Sequence, residues 1–166
     1  MTLYGYFWIL WSFAMLLIFA YGFVLLFGAP YFPSLKPHVK AALDLLELKE
    51  GEIVYDLGCG DGRFLKAAAN KGFKAVGYEL NPFMFLYSWV TTLRYGRRVK
   101  VRFGNFWKAD ISKADAIFVF LLDKYMKKLD EKILDSGKHL KLASHTFKIP
   151  GKKPVAKKYG VFLYKY

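Results

Sequence analysis

The sequence predicts an α/β protein: an open, mostly parallel sheet of about six strands with helices on both faces, preceded by one N-terminal transmembrane helix. Three observations predict it. No Asp, Glu, Lys, Arg or His occurs before Lys36, so the first segment is apolar throughout. Beyond it, short β-rich runs alternate with helical stretches, the pattern of parallel βαβ units. The first of those runs ends in a glycine-rich turn that opens a helix.

Residues 3–27 form an unbroken apolar and aromatic run of 25 residues. As a helix it would reach roughly 37 Å at about 1.5 Å per residue, against a hydrocarbon core of about 30 Å. Tyr4, Tyr6, Phe7, Trp8 and Trp11 gather at one end and Tyr21, Phe23 and Phe27 at the other, as interfacial aromatic belts do. Gly28, Ala29, Pro30 and Pro33 then stop the helix. A cleaved signal peptide would need a positive leading region and a shorter apolar core, and a helix buried in a soluble domain would show some polar face. The expected organisation is a transmembrane helix over residues 1–29 and a globular domain over 30–166. Lys36 and Lys40 follow the span closely while nothing basic precedes it, which puts the C-terminal domain on the cytoplasmic side.

The globular part carries the whole net charge of +13, with 26 Lys and Arg against 13 Asp and Glu. Such a surface attracts polyanions, so nucleic acid, anionic lipid and acidic proteins are candidate neighbours; behind a membrane helix, lipid headgroups are the simplest of these. Cys59 is the only cysteine, which excludes an intrachain disulfide and a thiolate metal cluster. His38, His139 and His145 are scattered, without metal-ligand spacing, so no metal site is expected.

Leu35, Val39, Leu43 and Leu46 recur at helical spacing over residues 35–48. Residues 53–57 (IVYDL) read as a buried strand, 62–71 as a helix stopped by Gly72, 74–79 as a second strand, and 82 to about 95 as a helix. Strands follow at 99–103 and 116–122, a helix at 125–134, and strands at 139–147 and 160–164. Residues 148–158 (KIPGKKPVAKK) are rich in Lys, Pro and Gly and read as a mobile basic loop.

The chemistry concentrates in residues 56–63 (DLGCGDGR), between a strand and a helix. A dinucleotide turn uses G-x-G-x-x-G so that a pyrophosphate can sit on the helix N-terminus. Here the third glycine comes one residue early and two acids lie in the turn, which would repel phosphate. A cationic, phosphate-free nucleoside fits better. Asp56 can face its positive end, the glycines let backbone approach closely, and Glu79, at the end of the second strand and 23 residues on, can accept both ribose hydroxyls. S-adenosylmethionine has that chemistry, and the fold it implies is Rossmann-like.

The stretches DLGCGDGRFLKAAA, AVGYELNPF and GNFWKADISKADAIFVFL, with PYFPS after the apolar span, resemble the class I methyltransferases. Within that class they look like the protein-lysine methyltransferases that include the mitochondrial enzymes acting on the ATP-synthase c-subunit and the adenine nucleotide translocase, and small archaeal relatives. The resemblance implies S-adenosyl-L-methionine as cofactor. Asp56, Gly58, Cys59 and Gly60 would lie at its methionine end, Glu79 and Leu80 at the ribose, and Asn105 and Phe106 beside the adenine. Family members commonly carry Asp at the position of Asn105 and proline at that of Asp123. The reaction it implies is an in-line displacement by a lysine amine, for which the enzyme aligns and desolvates the partners and needs no covalent nucleophile. An aromatic acceptor pocket is expected from Tyr31 and Phe32 on one side and Phe118 and Leu121 on the other, while Trp107 is expected to pack in the core. The expected partner is a protein with an accessible lysine. An RNA methyltransferase, suggested by the charge and the basic loop, and a non-catalytic membrane scaffold with a vestigial cofactor fold are the alternatives.

Overall fold

The computed structural model describes residues 3–27 and 33–166, and within the first helix the side chains of residues 4–19, 21 and 22. The chain divides into two units, Met1–Tyr31 and Phe32–Tyr166. In the first, α1 (Leu3–Phe27) is a single helix of 25 residues with no acid in its first turn and no base in its last. The unbroken described run 4–19 would reach roughly 24 Å as helix, less than the roughly 30 Å of a hydrocarbon core, and among the described residues no helix is long and apolar enough to cross a membrane. A full span would draw on residues 20 and 23–27 as well.

The second unit is built on one sheet. Its strands are β1 (Ile53–Leu57), β2 (Lys74–Glu79), β3 (Val99–Phe103), β4 (Ala116–Val119), β5 (Lys141–His145), β6 (Ala156–Lys158) and β7 (Val161–Lys165). They stand in the order β3-β2-β1-β4-β5-β7-β6. The first five are parallel, and β7 runs antiparallel to both β5 and β6. The chain reverses its strand order between β1 and β4, the switch point at which open α/β sheets bind ligands beyond the strand carboxyl ends.

Seven strands stand where about six were expected, and the extra one is a correction to the mobile loop expected over residues 148–158. Val155 N donates to Leu163 O at 2.8 Å, and Lys158 pairs with Val161 across the two-residue turn Tyr159-Gly160. Both turn residues have positive φ, 47° and 72°, the geometry that matches the twist of a hairpin. Ala156 packs against the core while Lys158 bridges to Asp44, so lysine content did not prevent strand formation.

Helices cover both faces. On one lie α2 (Lys36–Leu46) and α3 (Arg63–Asn70). The buried stripe of α2, Val39, Ala42, Leu43 and Leu46, has the spacing of one helix face, and the helix ends where Glu47 turns left-handed at φ 45°. Phe64, Leu65, Ala68 and Ala69 of α3 complete that core with Phe118 and Ala143. On the other face Met126, Leu129 and Ile133 of α5 (Met126–Asp135) pack with Tyr55, Ile117 and Leu142. Fully burying each such side chain contributes about 1.5–3 kcal/mol. Between β2 and β3, α4 (Pro82–Thr92) starts on Asn81, whose side chain accepts from the Phe83 and Met84 amides, with Pro82 preset for the first turn. Helix α4 buries only Ser88 and Thr92.

Candidate active site

The carboxyl ends of the parallel strands deliver the expected residues to one sheet edge. Asp56 precedes the last residue of β1 and is buried. After Leu57 the chain turns sharply: the amides of Gly58 and Cys59 both donate to Tyr78 O at 2.9 Å, which ties the glycine turn to β2. At Gly62 the backbone is left-handed, φ 71°, and a Cβ there would stand 2.6 Å from Ser88 Oγ, so glycine is required on both counts. The small inward residues of α4 thus let it lie against this turn.

Glu79 is held by three backbone amides. Its Oε2 accepts from Gly60 N at 2.8 Å, and its Oε1 accepts from Leu80 N at 2.9 Å and Asn81 N at 2.8 Å. The carboxylate is therefore fixed at the mouth of the turn with acceptor capacity left over, since each oxygen carries two lone pairs. Asn105 follows β3, and its Oδ1 accepts from Trp107 N at 3.0 Å, starting the short 3-10 turn Phe106–Lys108. Trp107 and Phe106 pack in the α5-side core, as expected for Trp107.

Three carboxyls, Asp56, Asp61 and Glu79, influence one another at this edge. Burial pushes the Asp56 carboxyl well above the usual carboxylate range, and the charges of Glu79 and Asp61 push it the same way. The Cys59 thiol is raised by burial, then by Asp56 and Glu79, so it is an inert structural thiol rather than a nucleophile. Asp61 differs: burial opposes its ionisation, yet hydrogen bonds from Arg63 hold its carboxyl below the usual range. Arg63 Nη2 lies 2.8 Å from Asp61 Oδ2, and Arg63 Nη1 donates to Ser34 O at 2.9 Å, which joins the turn to the start of α2.

The residues expected at the acceptor side are placed less uniformly. Tyr31 and Phe32 lie outside the described residues. Phe118 is 3% exposed and stacks face to face on Phe64, 4.2 Å between centroids, and Leu121 is buried in the opposite core layer. At this edge Phe120, half-buried after β4, has its ring 4.3 Å from that of His145.

That histidine also meets a second one that lies far from it in the sequence. His38 of α2 and His145 at the end of β5 have ring centroids 4.2 Å apart. His145 Nδ1 is 3.2 Å from Ser34 Oγ, and the buried Nδ1 of His38 has no hydrogen-bond partner among the described residues. Burial, then the neighbouring His38, lowers the His145 imidazole from its usual 6.5 to about 4. The pair was invisible in sequence because 107 residues separate its members. Among the described residues no cluster of His, Cys, Asp and Glu could hold a metal ion.

The sequence matches the ANTKMT methyltransferase domain over residues 56–156. It is also 37% identical over 133 residues to a protein-lysine N-methyltransferase of Saccharolobus islandicus (strain REY15A), a match covering 75% of this chain and 81% of that protein. The chain belongs to this methyltransferase family. A further relative, the ATP-synthase c-subunit lysine N-methyltransferase of Xenopus laevis, is 40% identical over 106 residues, 63% of this chain. The chain spans less than half the length of that protein, 46%, and of its Homo sapiens counterpart, 45%. Among solved structures, an RNA methyltransferase from Salinibacter ruber in complex with S-adenosyl-L-homocysteine superposes with a TM-score of 0.73 at 29% identity, covering 81% of this chain and 92% of that one.

S-adenosylmethionine is the family's cofactor, and the site fits it. The buried Asp56 carboxyl and the glycine turn suit a cationic amino-acid end, and Glu79, already oriented by three amides, keeps a lone pair on Oε2 for a hydroxyl donor.

Proposed function

We propose that the chain is a membrane-anchored, S-adenosylmethionine-dependent protein-lysine N-methyltransferase. The observation that carries the reading is the amide-pinned Glu79 beside the buried Asp56 and the glycine turn, in a chain whose family relatives are named for lysine methylation. When bound, the cofactor supplies a methyl group on a sulfonium. The protein's part is to hold Glu79 and Asp56 in place, to exclude water, and to present the acceptor amine in line. The acceptor amine would have to reach the site with its proton already lost. The reference pKa of a lysine amine is about 10.4, so a dry aromatic surrounding that disfavours the ammonium assists. Phe120 and the neutral His145, beside Ser34, offer that surrounding at the strand edge next to β1. Tyr31, Phe32, Phe118 and Leu121 remain the expected contributors from sequence.

Anchoring is supported by α1, a 25-residue helix without charge at either end, and by the charge-free sequence before Lys36. The proposed boundary falls at residues 29/30, with the domain on the cytoplasmic side by the Lys36 and Lys40 asymmetry. Tethering would confine enzyme and substrate to one surface and raise their effective concentration.

The second reading, transfer to RNA, is favoured by the +13 charge and by the Salinibacter ruber neighbour. Incubation of the full chain with radiolabelled cofactor and membrane proteins, or with RNA, followed by protease or nuclease digestion, separates the two. Lysine methylation predicts label lost to protease and kept after nuclease; the opposite result assigns RNA.

A further inference from the structure

We propose that α4 is a membrane-docking helix that lies in the headgroup layer of an anionic bilayer and holds the cofactor-site edge against it. Helix α4 is inside out. It turns Ser88 and Thr92 inward, while Phe83, Leu86, Tyr87, Trp89, Val90 and Leu93 are each between 45% and 55% exposed. Positions 83, 86, 87, 90 and 93 follow the 3-4 spacing of one helix face, so the exposed residues form a continuous stripe rather than scattered single residues.

The charge around this stripe names the occupant. No Asp or Glu occurs from residue 80 to residue 109, and Arg94, Arg97 and Arg98 follow α4 directly and are exposed. Lys66 Nζ lies 5.6 Å from the Tyr87 ring centroid, adding a cation at the flank. Trp, Tyr and Phe over an apolar stripe, with arginines after it and no acid within the helix or the turn that follows, match the headgroup and acyl boundary of an anionic leaflet. A second copy of this chain, with a net charge of +13, would bring further cations against the same arginines. The placement also has a consequence for the site. Helix α4 begins at Asn81, two residues after Glu79, so a docked α4 would set the ribose side of the cofactor site near the membrane surface. The inference rests on the membrane-anchored reading but has its own readout.

The test uses the full chain with Leu86→Cys carrying a polarity-sensitive fluorophore, the native Cys59 being buried, and Lys153→Cys as an exposed control. Flotation with phosphatidylcholine vesicles, with and without phosphatidylserine, reports the α1 anchor separately. Docking predicts that the position 86 probe shifts to the blue and is quenched by spin-labelled lipid on phosphatidylserine vesicles, while position 153 stays aqueous. Arg97→Glu with Arg98→Glu should lower the docked-to-free ratio of the position 86 probe by at least roughly tenfold, from about fivefold per arginine lost. A chain that floats while position 86 stays in water overturns the proposal and leaves the anchor standing. A blue shift without vesicles that grows with protein concentration assigns the stripe to self-association. A concentration-independent one assigns it to another segment of this chain. Equal shifts at both positions, or no flotation and no shift, also overturn docking.

Discussion

The rings of His38 and His145 lie 4.2 Å apart with their planes 34° from parallel, where two imidazolium charges could not both be tolerated. His145, buried among His38, Phe120 and Ser34, is held neutral down to about 4. In the unfolded chain it would protonate near 6.5. Because the folded value is the lower one, the unfolded state binds the extra proton first as pH falls. Stability is full above about pH 6.5, declines between there and about pH 4, and by then has lost roughly 2–3 kcal/mol. Urea unfolding across that range should show the decline, and His145→Phe should flatten it. A wild-type profile that is level from pH 7 to pH 4 would disprove the coupling.

Asp56 makes cofactor binding proton-linked. Its carboxyl is raised first by burial and then by Glu79 and Asp61, so ionising it is disfavoured in the free protein. A cation placed beside it favours the ionised form, so binding should release a proton and tighten as pH rises. Calorimetry in buffers of different ionisation heat should give a buffer-dependent binding enthalpy, and Asp56→Asn should remove that dependence along with much of the affinity. An enthalpy identical in every buffer would rule out the linkage.

Gly77 of β2 lies beneath the glycine turn with no room for a methyl group. A Cβ there would stand 2.5 Å from Leu65 Cδ1 and 2.7 Å from Cys59 Sγ. Gly77→Ala should therefore cost about 1–3 kcal/mol of stability and weaken cofactor binding through the displaced Cys59. Adding Cys59→Ala removes the Sγ contact and leaves the Cys59 Cβ position at 2.9 Å, so the double variant should regain part of the loss. Additive destabilisation in thermal unfolding would mean that the two side chains do not meet.

β1 was legible as a short apolar run between Glu52 and Gly58, and residues 56–63 announced their turn by glycine spacing alone. Glu79 was legible for the same reason, as the acid that ends β2. What escaped was relational or ran against composition. The lysines of residues 156–158 masked β6, although the Tyr159-Gly160 turn and the apolar run after it marked a hairpin. His38 and His145 meet only because β5 ends beneath α2, and nothing local encodes that. Phe118 looked like any apolar residue of β4; its stacking on Phe64 places it in the core, while Phe120, two residues on and facing the same way, reaches the edge.

Glu79 joins the fold to the chemistry, and the two can be separated by substitution. Its carboxylate satisfies the amides of Gly60, Leu80 and Asn81 before any ligand arrives. Glu79→Gln keeps one oxygen but turns an NH2 group toward amide donors, so at least one of those bonds becomes a repulsion and the turn loosens. The expected cost is about 1–3 kcal/mol in stability and, because the remaining acceptor is neutral and misplaced, a loss of tenfold or more in cofactor affinity on the order of 1.4 kcal/mol or greater. Glu79→Ala should bind still less. Thermal unfolding and titration calorimetry with S-adenosylhomocysteine measure the two effects independently. If Glu79→Gln binds as tightly as the parent chain, the ribose contact assigned to this carboxylate is wrong, whatever happens to stability.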